Sequence, residues 1–221
     1  MKPAHLTAHS ISRRFGRRWA LRQVSLALNP GTLTVVSGHN GAGKSTFLHL
    51  LAGLTRPTEG WIELDGDDLH RHPSPATARA IIAFLGHEPF LYPELTGIEN
   101  LRFMASLYGR DVREEELTKR IAEVGLTAAQ LRPVATYSRG MTQRLALARI
   151  LVQDASVWVL DEPSTGLDAP GRALFRQLIE AATGEGRSVV MVTHAPKSYE
   201  EIADAKVVLD NGRITSDEGL L

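Results

Sequence analysis

The fold of this chain is decided by residues 38–46, which read Gly38-His-Asn-Gly-Ala-Gly-Lys-Ser-Thr46. They match the pattern G-x-x-x-x-G-K-[ST] and lie between a β-branched run at 33–37 and a helical pattern at 47–52. Glycines there let backbone N–H groups turn toward phosphate oxygens, and the N-terminus of the next helix adds the positive end of its dipole. The spacing predicts a phosphate-binding loop, formed by Gly38, His39, Asn40, Gly41, Ala42, Gly43, Lys44, Ser45 and Thr46.

Within this loop two side chains have expected roles: Lys44 reaches the terminal phosphates, and the Ser45 hydroxyl ligates magnesium. A second motif, Val157-Trp-Val-Leu-Asp-Glu162, is an apolar strand that ends in acidic residues. A buried strand brings Asp161 to the carboxyl edge of the sheet, where it can hold magnesium through water, and Glu162 is placed to polarise the attacking water. Alone, this pattern equally fits a strand running into a charged turn. Because it follows the phosphate-binding loop, we interpret it as the other half of one site.

Short β-branched runs alternate with longer helical patterns along the chain, which predicts an α/β fold with a mainly parallel sheet and crossover helices. The strand candidates are 24–28, 33–37, 81–85, 157–160, 188–193 and 206–209. Between 88 and 152 the strand signal disappears and apolar residues recur at helical spacing. We predict a single domain over 1–221, with a nucleotide core at 1–87 and 153–221 and an inserted helical subdomain at 88–152.

The composition is that of an ordinary globular protein and excludes several kinds of site. Of the 221 residues, 43% are hydrophobic and 23% are charged, and 25 Lys and Arg balance 25 Asp and Glu. This neutral balance gives no reason to expect binding to nucleic acid. The absence of cysteine excludes disulfides, thiolate zinc sites and a cysteine nucleophile. We find no secretory signal pattern and no apolar run of the roughly 20 residues that cross a bilayer, and we therefore expect a cytoplasmic protein.

With these motifs, the sequence resembles the ATP-binding subunits of ABC transporters over essentially its whole length. After the acids, Pro163-Ser-Thr-Gly-Leu-Asp168 is similar to the D-loop of that family. The segment Val189-Val-Met-Val-Thr-His194 ends in a residue that resembles its H-loop histidine. Before the acids, Tyr137-Ser-Arg-Gly-Met-Thr-Gln-Arg144 stands where the family carries its LSGGQ signature. The resemblance implies a phosphate-loop ATPase core with an N-terminal antiparallel β element and an inserted helical subdomain.

The signature segment departs from the family pattern at three positions. Tyr137 replaces the leucine, Arg139 replaces the first glycine, and Met141 replaces the glutamine. Ser138 and Gly140 remain, and a serine hydroxyl with a glycine N–H at a helix N-terminus is the anion-binding part of the motif. The resemblance therefore implies that Ser138 and Gly140 still bind nucleotide.

The resemblance also implies a dimer that binds ATP and Mg²⁺ between two ATPase domains. In this family, each ATP contacts the phosphate-binding loop of one protomer and the signature serine of the other, so that Lys44 and Ser138 would serve different nucleotides. Glu162 would be the catalytic base, His194 would contact the γ-phosphate, and Asp168 would couple the two sites. Taken alone, His194 would be a histidine that caps a strand end; its spacing after the D-loop favours the functional interpretation.

Adenine needs a flat partner, and Phe15 stands where the family carries its stacking aromatic residue, with Trp19 as the alternative. Arginines surround both of them: Arg13, Arg14, Arg17, Arg18 and Arg22. Such a cluster can bind a polyanion, but with no net charge on the chain we interpret it as a solvated hairpin.

The residue after the strand at 81–85 indicates which branch of the family the chain resembles. Most members place a glutamine after the strand at 81–85, whereas this chain reads Phe84-Leu-Gly-His-Glu-Pro89 and continues with Glu94-Leu-Thr and Glu99-Asn-Leu. These segments resemble the haem-exporter ATPase branch of cytochrome c maturation. His87 would then take the place of the glutamine beside the magnesium and the attacking water, with Glu88 as the alternative.

Rival functions share part of this motif set. A GTPase or small-molecule kinase would carry the phosphate-binding loop, but the chain has no Asn-Lys-x-Asp guanine motif, and neither class has the signature segment. A soluble ABC-type ATPase acting on a non-membrane partner would share every motif, although such proteins usually carry two ATPase domains or long insertions. We expect the ATPase subunit of an exporter, bound to an integral membrane subunit at the inner face of the cell membrane, with the cargo chosen by that subunit.

Overall fold

Two β-sheets and a set of helices make up the computed structural model, which describes residues 3–72, 78 and 80–218. The strands are β1 (Leu6–Phe15), β2 (Arg18–Leu28), β3 (Leu33–Ser37), β4 (Glu59–Leu64), β5 (Asp67–Asp68), β6 (Ile82–Leu85), β7 (Val157–Asp161), β8 (Ser188–Val192), β9 (Ala205–Asp210) and β10 (Arg213–Glu218). The helices are α1 (Lys44–Leu51), α2 (Gly97–Leu107), α3 (Glu114–Glu123), α4 (Arg139–Gln153) and α5 (Ala169–Gly184). Short 3₁₀ helices occur at Thr127–Ala129, Val134–Thr136 and Pro196–Tyr199.

The larger sheet has six strands in the order β10-β9-β3-β8-β7-β6. Its strands β9, β3, β8, β7 and β6 are parallel, and only the edge strand β10 is antiparallel to its neighbour β9. The predicted parallel sheet is confirmed. Because parallel strands share one carboxyl edge, the loop after β3 and the acids at the end of β7 lie at the same edge.

The smaller sheet is antiparallel, in the order β2-β1-β4-β5, which confirms the expected N-terminal antiparallel element. Strands β1 and β2 form a hairpin that turns at Gly16 and carries the arginine cluster on its exposed part. The hairpin is as predicted, with Arg14, Arg17, Arg18 and Arg22 exposed, whereas the interpretation that the cluster binds no polyanion stays a prediction. Sequence patterns indicated only the end of β2 and missed β1, β4, β5 and β10. Charged residues on them such as Arg14, Glu59, Asp67 and Arg213 face solvent, and bulges interrupt the alternation in β1.

The core occupies both faces of the larger sheet, because successive residues of its strands point to opposite sides. In β7, Trp158 and Leu160 pack with the helices α2 to α5, while Val157 and Val159 pack with α1 and the antiparallel sheet. All residues of β7 and β8 are buried, as expected for strands covered on both sides. This double cover fixes the ends of β7 and β8, from which the acidic pair and His194 project.

Residues 88–152, all of which the structure describes, contain helices and no strand apart from a bridge between Thr96 and Pro133. The helical pattern is confirmed, while the division into a nucleotide core and a helical subdomain stays a prediction. Helix α4 runs one residue past the expected boundary, where Gln153 donates hydrogen bonds to the carbonyl oxygens of Ala80 and Ile82. Among the described residues, no helix combines the length and apolar character needed to span a bilayer.

Helix α4 begins at Arg139, so Gly140 lies inside its first turn. The reason is the cap: the Ser138 hydroxyl accepts a hydrogen bond from the backbone N–H of Met141, which starts the helix directly after Ser138.

Candidate active site

The phosphate-binding loop connects β3 to α1, as predicted, and its shape depends on glycine. Gly38 has a φ of +149°, and a Cβ atom there would lie 2.1 Å from the carbonyl oxygen of Leu209. Gly43, at the N-terminus of α1, has a φ of +106° and leaves no room beside the carbonyl oxygen of Ala20. Any larger residue at either position would displace the loop from the strands behind it.

Lys44 is held inside this loop although it is charged. Its Nζ donates hydrogen bonds to the carbonyl oxygens of Gly38 at 2.7 Å and of His39 at 3.0 Å. The lysine is 8% exposed, so little of the side chain is free to move. These bonds hold the ammonium group inside the loop at the start of α1, and a positive charge beside a helix N-terminus favours phosphate.

A cavity of about 840 Å³ opens in front of the loop. The structure brings these predicted site residues together around it: Phe15, Asn40, Gly41, Gly43, Lys44, Ser45, Thr46, His87, Asp161, Glu162 and His194. Gly38, His39 and Ala42 shape the loop but are not among the residues that line the cavity, and Ala42 is fully buried. Motifs that lie far apart in sequence therefore face one nucleotide-sized space.

Glu162 occupies a strained position directly after β7. Its φ is +51°, which is unusual for a residue with a side chain, and its backbone N–H donates to the carbonyl oxygen of Val192 at 3.0 Å. Its Oε2 accepts a hydrogen bond from the backbone N–H of His194 at 3.2 Å. Its Oε1 is buried without a hydrogen-bond partner among the described residues. One carboxylate oxygen thus fixes the side chain and the other remains available to a ligand or water.

Asp161 and His87 lie beside each other at the same edge. Asp161 is 3% exposed, and its Oδ2 lies 3.8 Å from Nε2 of His87, whose side chain is largely exposed. His87 lines the cavity, whereas Glu88 is exposed and is not among its lining residues. The position of the side chains favours His87 over Glu88 as the residue of this loop that faces the site.

The signature and D-loop residues lie outside this cavity. Ser138 is exposed at the N-terminus of α4, and Asp168 caps α5 by accepting a hydrogen bond from the backbone N–H of Gly171 at 2.9 Å. Neither residue, nor Gly140, lines the space in front of Lys44. Their exposure at helix N-termini leaves them free to face another molecule.

Tyr137 explains how the altered signature keeps its shape. Its hydroxyl donates to the carbonyl oxygen of Ala129 at 2.8 Å, and it lies so close to Gly97 that a Cβ atom there would come within 2.5 Å. Burial raises the pKa of Tyr137 above its usual value, with Arg132 acting in the opposite direction, so the hydroxyl stays protonated and keeps donating. Tyr137 therefore anchors the segment that presents Ser138.

The lining of the cavity includes both aromatic side chains that the sequence offers as partners for adenine. Phe15 and Trp19 both line it, and arginines pack over both rings, Arg13 over Phe15 at 4.8 Å and Arg14 over Trp19 at 5.3 Å. The cavity is also lined by residues that the sequence did not indicate as part of the site: Arg18, Arg22, Asn211, Gly212 and Arg213. The Asp-Asn-Gly turn between β9 and β10 predicts a hairpin, but no local pattern shows that this hairpin lies against the cavity.

Comparison with known protein families gives a consistent result. The family model described as ABC transporter matches residues 21–165. The cytochrome c biogenesis ATP-binding export protein CcmA of Methylococcus capsulatus is 39% identical over 194 residues, which are 88% of this chain and 93% of that protein. The ABC transporter ATP-binding protein NatA of Bacillus subtilis is 33% identical over 95% of this chain and 87% of its own length.

Solved structures agree with the sequence relatives. An ATP-binding subunit of an ABC transporter superposes with a TM-score of 0.89 and 28% identity, covering 97% of this chain and 90% of that one. A dimeric ATP-binding cassette in a post-hydrolysis state, bound to ADP and Pi, superposes with a TM-score of 0.86 and 25% identity over 98% of this chain and 99% of that one.

Proposed function

The chain belongs to the ABC transporter family, and from this premise we propose that it is the ATP-binding and ATP-hydrolysing subunit that powers an exporter. The observation that carries the proposal is the meeting of Lys44, Asp161 and Glu162 around one cavity, with Ser138 and Asp168 held outside it. The first group can bind a γ-phosphate and activate the water that attacks it, and the second can complete the site of another copy. This is the arrangement of an ATPase that works as a dimer.

The side chains divide the work of hydrolysis. Lys44 and the loop N–H groups bind the phosphates, which positions the γ-phosphorus for in-line attack. Glu162 Oε1, which is buried and has no hydrogen-bond partner among the described residues, accepts a hydrogen bond from the attacking water and removes its proton. His194 lines the cavity beside it, where it contacts the γ-phosphate.

The donor set of the site fits magnesium. The Ser45 hydroxyl and the Asp161 carboxylate face the same cavity, and oxygen ligands are the ones that Mg²⁺ prefers. Within the described ranges, no group of three or more His, Cys, Asp or Glu residues could hold a metal by itself. Ser45 and Asp161 would hold a magnesium ion together with nucleotide phosphates, and the ion would supply neutralisation of the negative charge that develops on them.

A second ATPase domain is needed because this chain does not bring its own Ser138 to Lys44. We propose a homodimer in which Ser138 and Gly140 bind the phosphates of the nucleotide held by the partner's loop. The exposed helix N-terminus at Ser138 is suited to this task, since it presents N–H groups and the positive dipole end. Asp168, at the start of α5, lies on the same exposed side and couples the two sites.

The membrane subunit requires a surface of its own. An apolar groove of about 500 Å³ lies between α1, β6, α2 and α4, and its lining includes Leu54, Phe84, Phe90, Tyr92, Leu107 and Arg149. The segment from Phe84 to Phe90 connects the two surfaces: Phe84 and Phe90 line the groove, and His87 between them lines the cavity in front of Lys44. Movement of this short segment on hydrolysis is thereby transmitted to whatever occupies the groove, and we propose that a cytoplasmic segment of the membrane subunit does so.

Haem export in cytochrome c maturation is the best single proposal for the transport process. It is favoured by the name of the relative from Methylococcus capsulatus, a cytochrome c biogenesis export protein, and by the Leu-Gly-His segment that ends at His87. In this role the protein lies on the cytoplasmic side, attached to the inner face of the cell membrane through its partner.

The test is co-expression with the product of a neighbouring reading frame that has about six apolar spans of roughly 20 residues. We expect co-purification of the two proteins and ATP hydrolysis in vesicles that changes when haem is added. A stable complex whose rate of ATP hydrolysis does not change with haem would contradict haem as the cargo but would still support the role as a transporter subunit. Failure to bind any such membrane protein, with full activity of the isolated chain, would favour a soluble ATPase acting on a non-membrane partner.

A further inference from the structure

Arg149 is a buried cation without a counter-charge. It lies on α4, is 3% exposed, and lines the apolar groove. No carboxylate in the described part of the chain acts on it, and burial lowers the pKa of its guanidinium group below the usual value. By contrast, Arg187 is also buried but forms ion pairs with Asp154 and Glu185. The fold thus neutralises one buried arginine and leaves the other unpaired.

The hydrogen bonds of Arg149 are incomplete. Its Nη2 donates to the carbonyl oxygen of Phe84 at 2.7 Å, and its Nη1 makes a long contact of 3.4 Å with the Tyr108 hydroxyl. Its Nε is buried with no partner among the described residues. A guanidinium group has five N–H donors, and a buried charge is costly unless it is paired. The arginine therefore has unused capacity for an acceptor.

The surroundings of Arg149 are shaped to receive a ligand from the groove side. Phe90 places its ring over the guanidinium group, with 5.9 Å between Cζ and the ring centroid. Phe90 has a φ of +52°, an unfavourable conformation for a bulky residue, and it is half exposed together with Leu54 and Leu107. The groove is a mainly apolar surface whose lining contains two polar groups with unused capacity: the guanidinium group of Arg149, which needs an acceptor and a negative charge, and the buried Oε1 of Gln153, which needs a donor.

We propose that the segment of the membrane subunit that fills this groove carries an aspartate or glutamate whose carboxylate pairs with Arg149. This inference rests on the proposed function and specifies the chemistry of its partner. A carboxylate matches the forked geometry of a guanidinium group and supplies the missing acceptors and the missing charge together. A segment without an acidic residue would leave the guanidinium group unpaired inside the interface, which is costly. Arg149 therefore also gives specificity, because it disfavours apolar segments that lack a carboxylate.

The experiment is a double-mutant cycle on the full-length chain and the detergent-solubilised membrane subunit. Each Asp and Glu in the cytoplasmic loops of that subunit is changed in turn to its amide, and the dissociation constant is measured against the wild-type chain and against Arg149→Met. We expect Arg149→Met to weaken binding at least about tenfold. We expect one amide variant to weaken it equally, with no further loss when the two changes are combined.

Controls separate this pairing from a folding effect. Arg102→Gln, which removes an exposed arginine of α2 that pairs with Glu114 outside the groove, should leave the dissociation constant unchanged. If thermal unfolding shows that Arg149→Met does not fold, Arg149→Lys replaces it in the same cycle, because it keeps the charge but not the fork. Additive losses for every acidic residue would overturn the inference while leaving the complex intact. If the wild-type chain does not bind the membrane subunit, the proposed function fails and the inference with it.

Discussion

The carboxylate of Glu162 contacts His194 at two points. Oε2 of Glu162 accepts a hydrogen bond from the backbone N–H of His194 at 3.2 Å, and Oε1 lies 3.4 Å from Nε2 of the imidazole. The second contact is close without being a hydrogen bond, since Oε1 has no such partner in the part of the chain that the structure describes. The ends of strands β7 and β8 thus fix the relative position of Glu162, the proposed base, and His194, the proposed phosphate contact.

The first prediction separates binding from chemistry at this site. Lys44→Ala removes the ammonium group from the loop, so ATP affinity should fall strongly. Glu162→Gln keeps the shape and the hydrogen bond to His194 but loses the base, so ATP should still bind while kcat falls by about a hundredfold or more. Equilibrium binding of a fluorescent ATP analogue and steady-state phosphate release measure the two effects. Equal loss of affinity in both variants would contradict these roles.

The second prediction concerns His87. An imidazole nitrogen can interact with water or phosphate oxygen as an amide does, so His87→Gln should keep most of the turnover. His87→Ala removes the contact with Asp161 and should lower kcat by about tenfold. Glu88→Gln is the matched control, since Glu88 lies outside the cavity and should behave as wild type. A kcat that falls in Glu88→Gln but not in His87→Ala would reverse the assignment.

How far the sequence leads depends on whether a feature is local. The loop at 38–46, the acids after β7 and the cap at Ser138 are encoded within a few consecutive residues, and the structure has each where its pattern predicts it. Strands β1 and β10 carry exposed charges, and β1 takes a positive φ at Ser10, so neither shows a clean alternation. Strand β10 pairs with its neighbour β9 across a two-residue turn, and β1 pairs with its neighbour β2 and with the more distant β4. Their recognition therefore needs the pairing partners, because the sequence pattern within each strand is not enough.

The site shows the same division. Arg213 and Arg18 line the cavity because a hairpin at one end of the chain folds against a hairpin at the other, and no spacing rule links them. Arg149 lies within the apolar pattern of α4, and nothing in that local pattern indicates whether its side chain is solvated or buried. Only the packing of β6, α2 and α4 around it reveals a buried cation.

The third prediction addresses stability beside the groove. Asn100 is fully buried; its Oδ1 accepts from the backbone N–H of Tyr92 at 2.7 Å, and its Nδ2 donates to the carbonyl oxygens of Tyr92 and Thr96 at 3.0 Å. Asn100→Leu leaves the backbone N–H of Tyr92 without its acceptor, whereas the carbonyl oxygens of Tyr92 and Thr96 keep backbone donors, from Leu95 and from residue 100 itself. The free energy of unfolding should therefore fall by about 1 to 3 kcal/mol.

Urea unfolding followed by circular dichroism measures this change. The matched control is Ser106→Ala, which removes one hydrogen bond to the carbonyl oxygen of Phe103 on the exposed side of the same helix. This control should cost less than about 0.5 kcal/mol. Equal stability of Asn100→Leu and the wild type would mean that water replaces the lost amide.

The last prediction tests the shared site through subunit mixing. If Ser138 serves the nucleotide bound by the partner's loop, Lys44→Ala and Ser138→Arg inactivate opposite halves of each composite site. A mixed dimer of the two variants then contains one doubly damaged site and one intact site. Random exchange makes half of the dimers mixed, so about a quarter of all sites are intact. Phosphate release should recover to about that fraction of the wild-type rate, unless hydrolysis requires two intact sites in the same dimer.

The control mixture combines Lys44→Ala with Glu162→Gln. Both residues belong to the same half of the site, so each composite site in the mixed dimer keeps one of the two lesions and no activity should return. Recovery in the first mixture and none in the second is the signature of Ser138 acting across the interface. Ser138→Arg with wild-type activity, or hydrolysis strictly proportional to protein concentration at high dilution, would show that one chain completes its own site. In that case the exposed N-terminus of α4 would serve only to cap its helix.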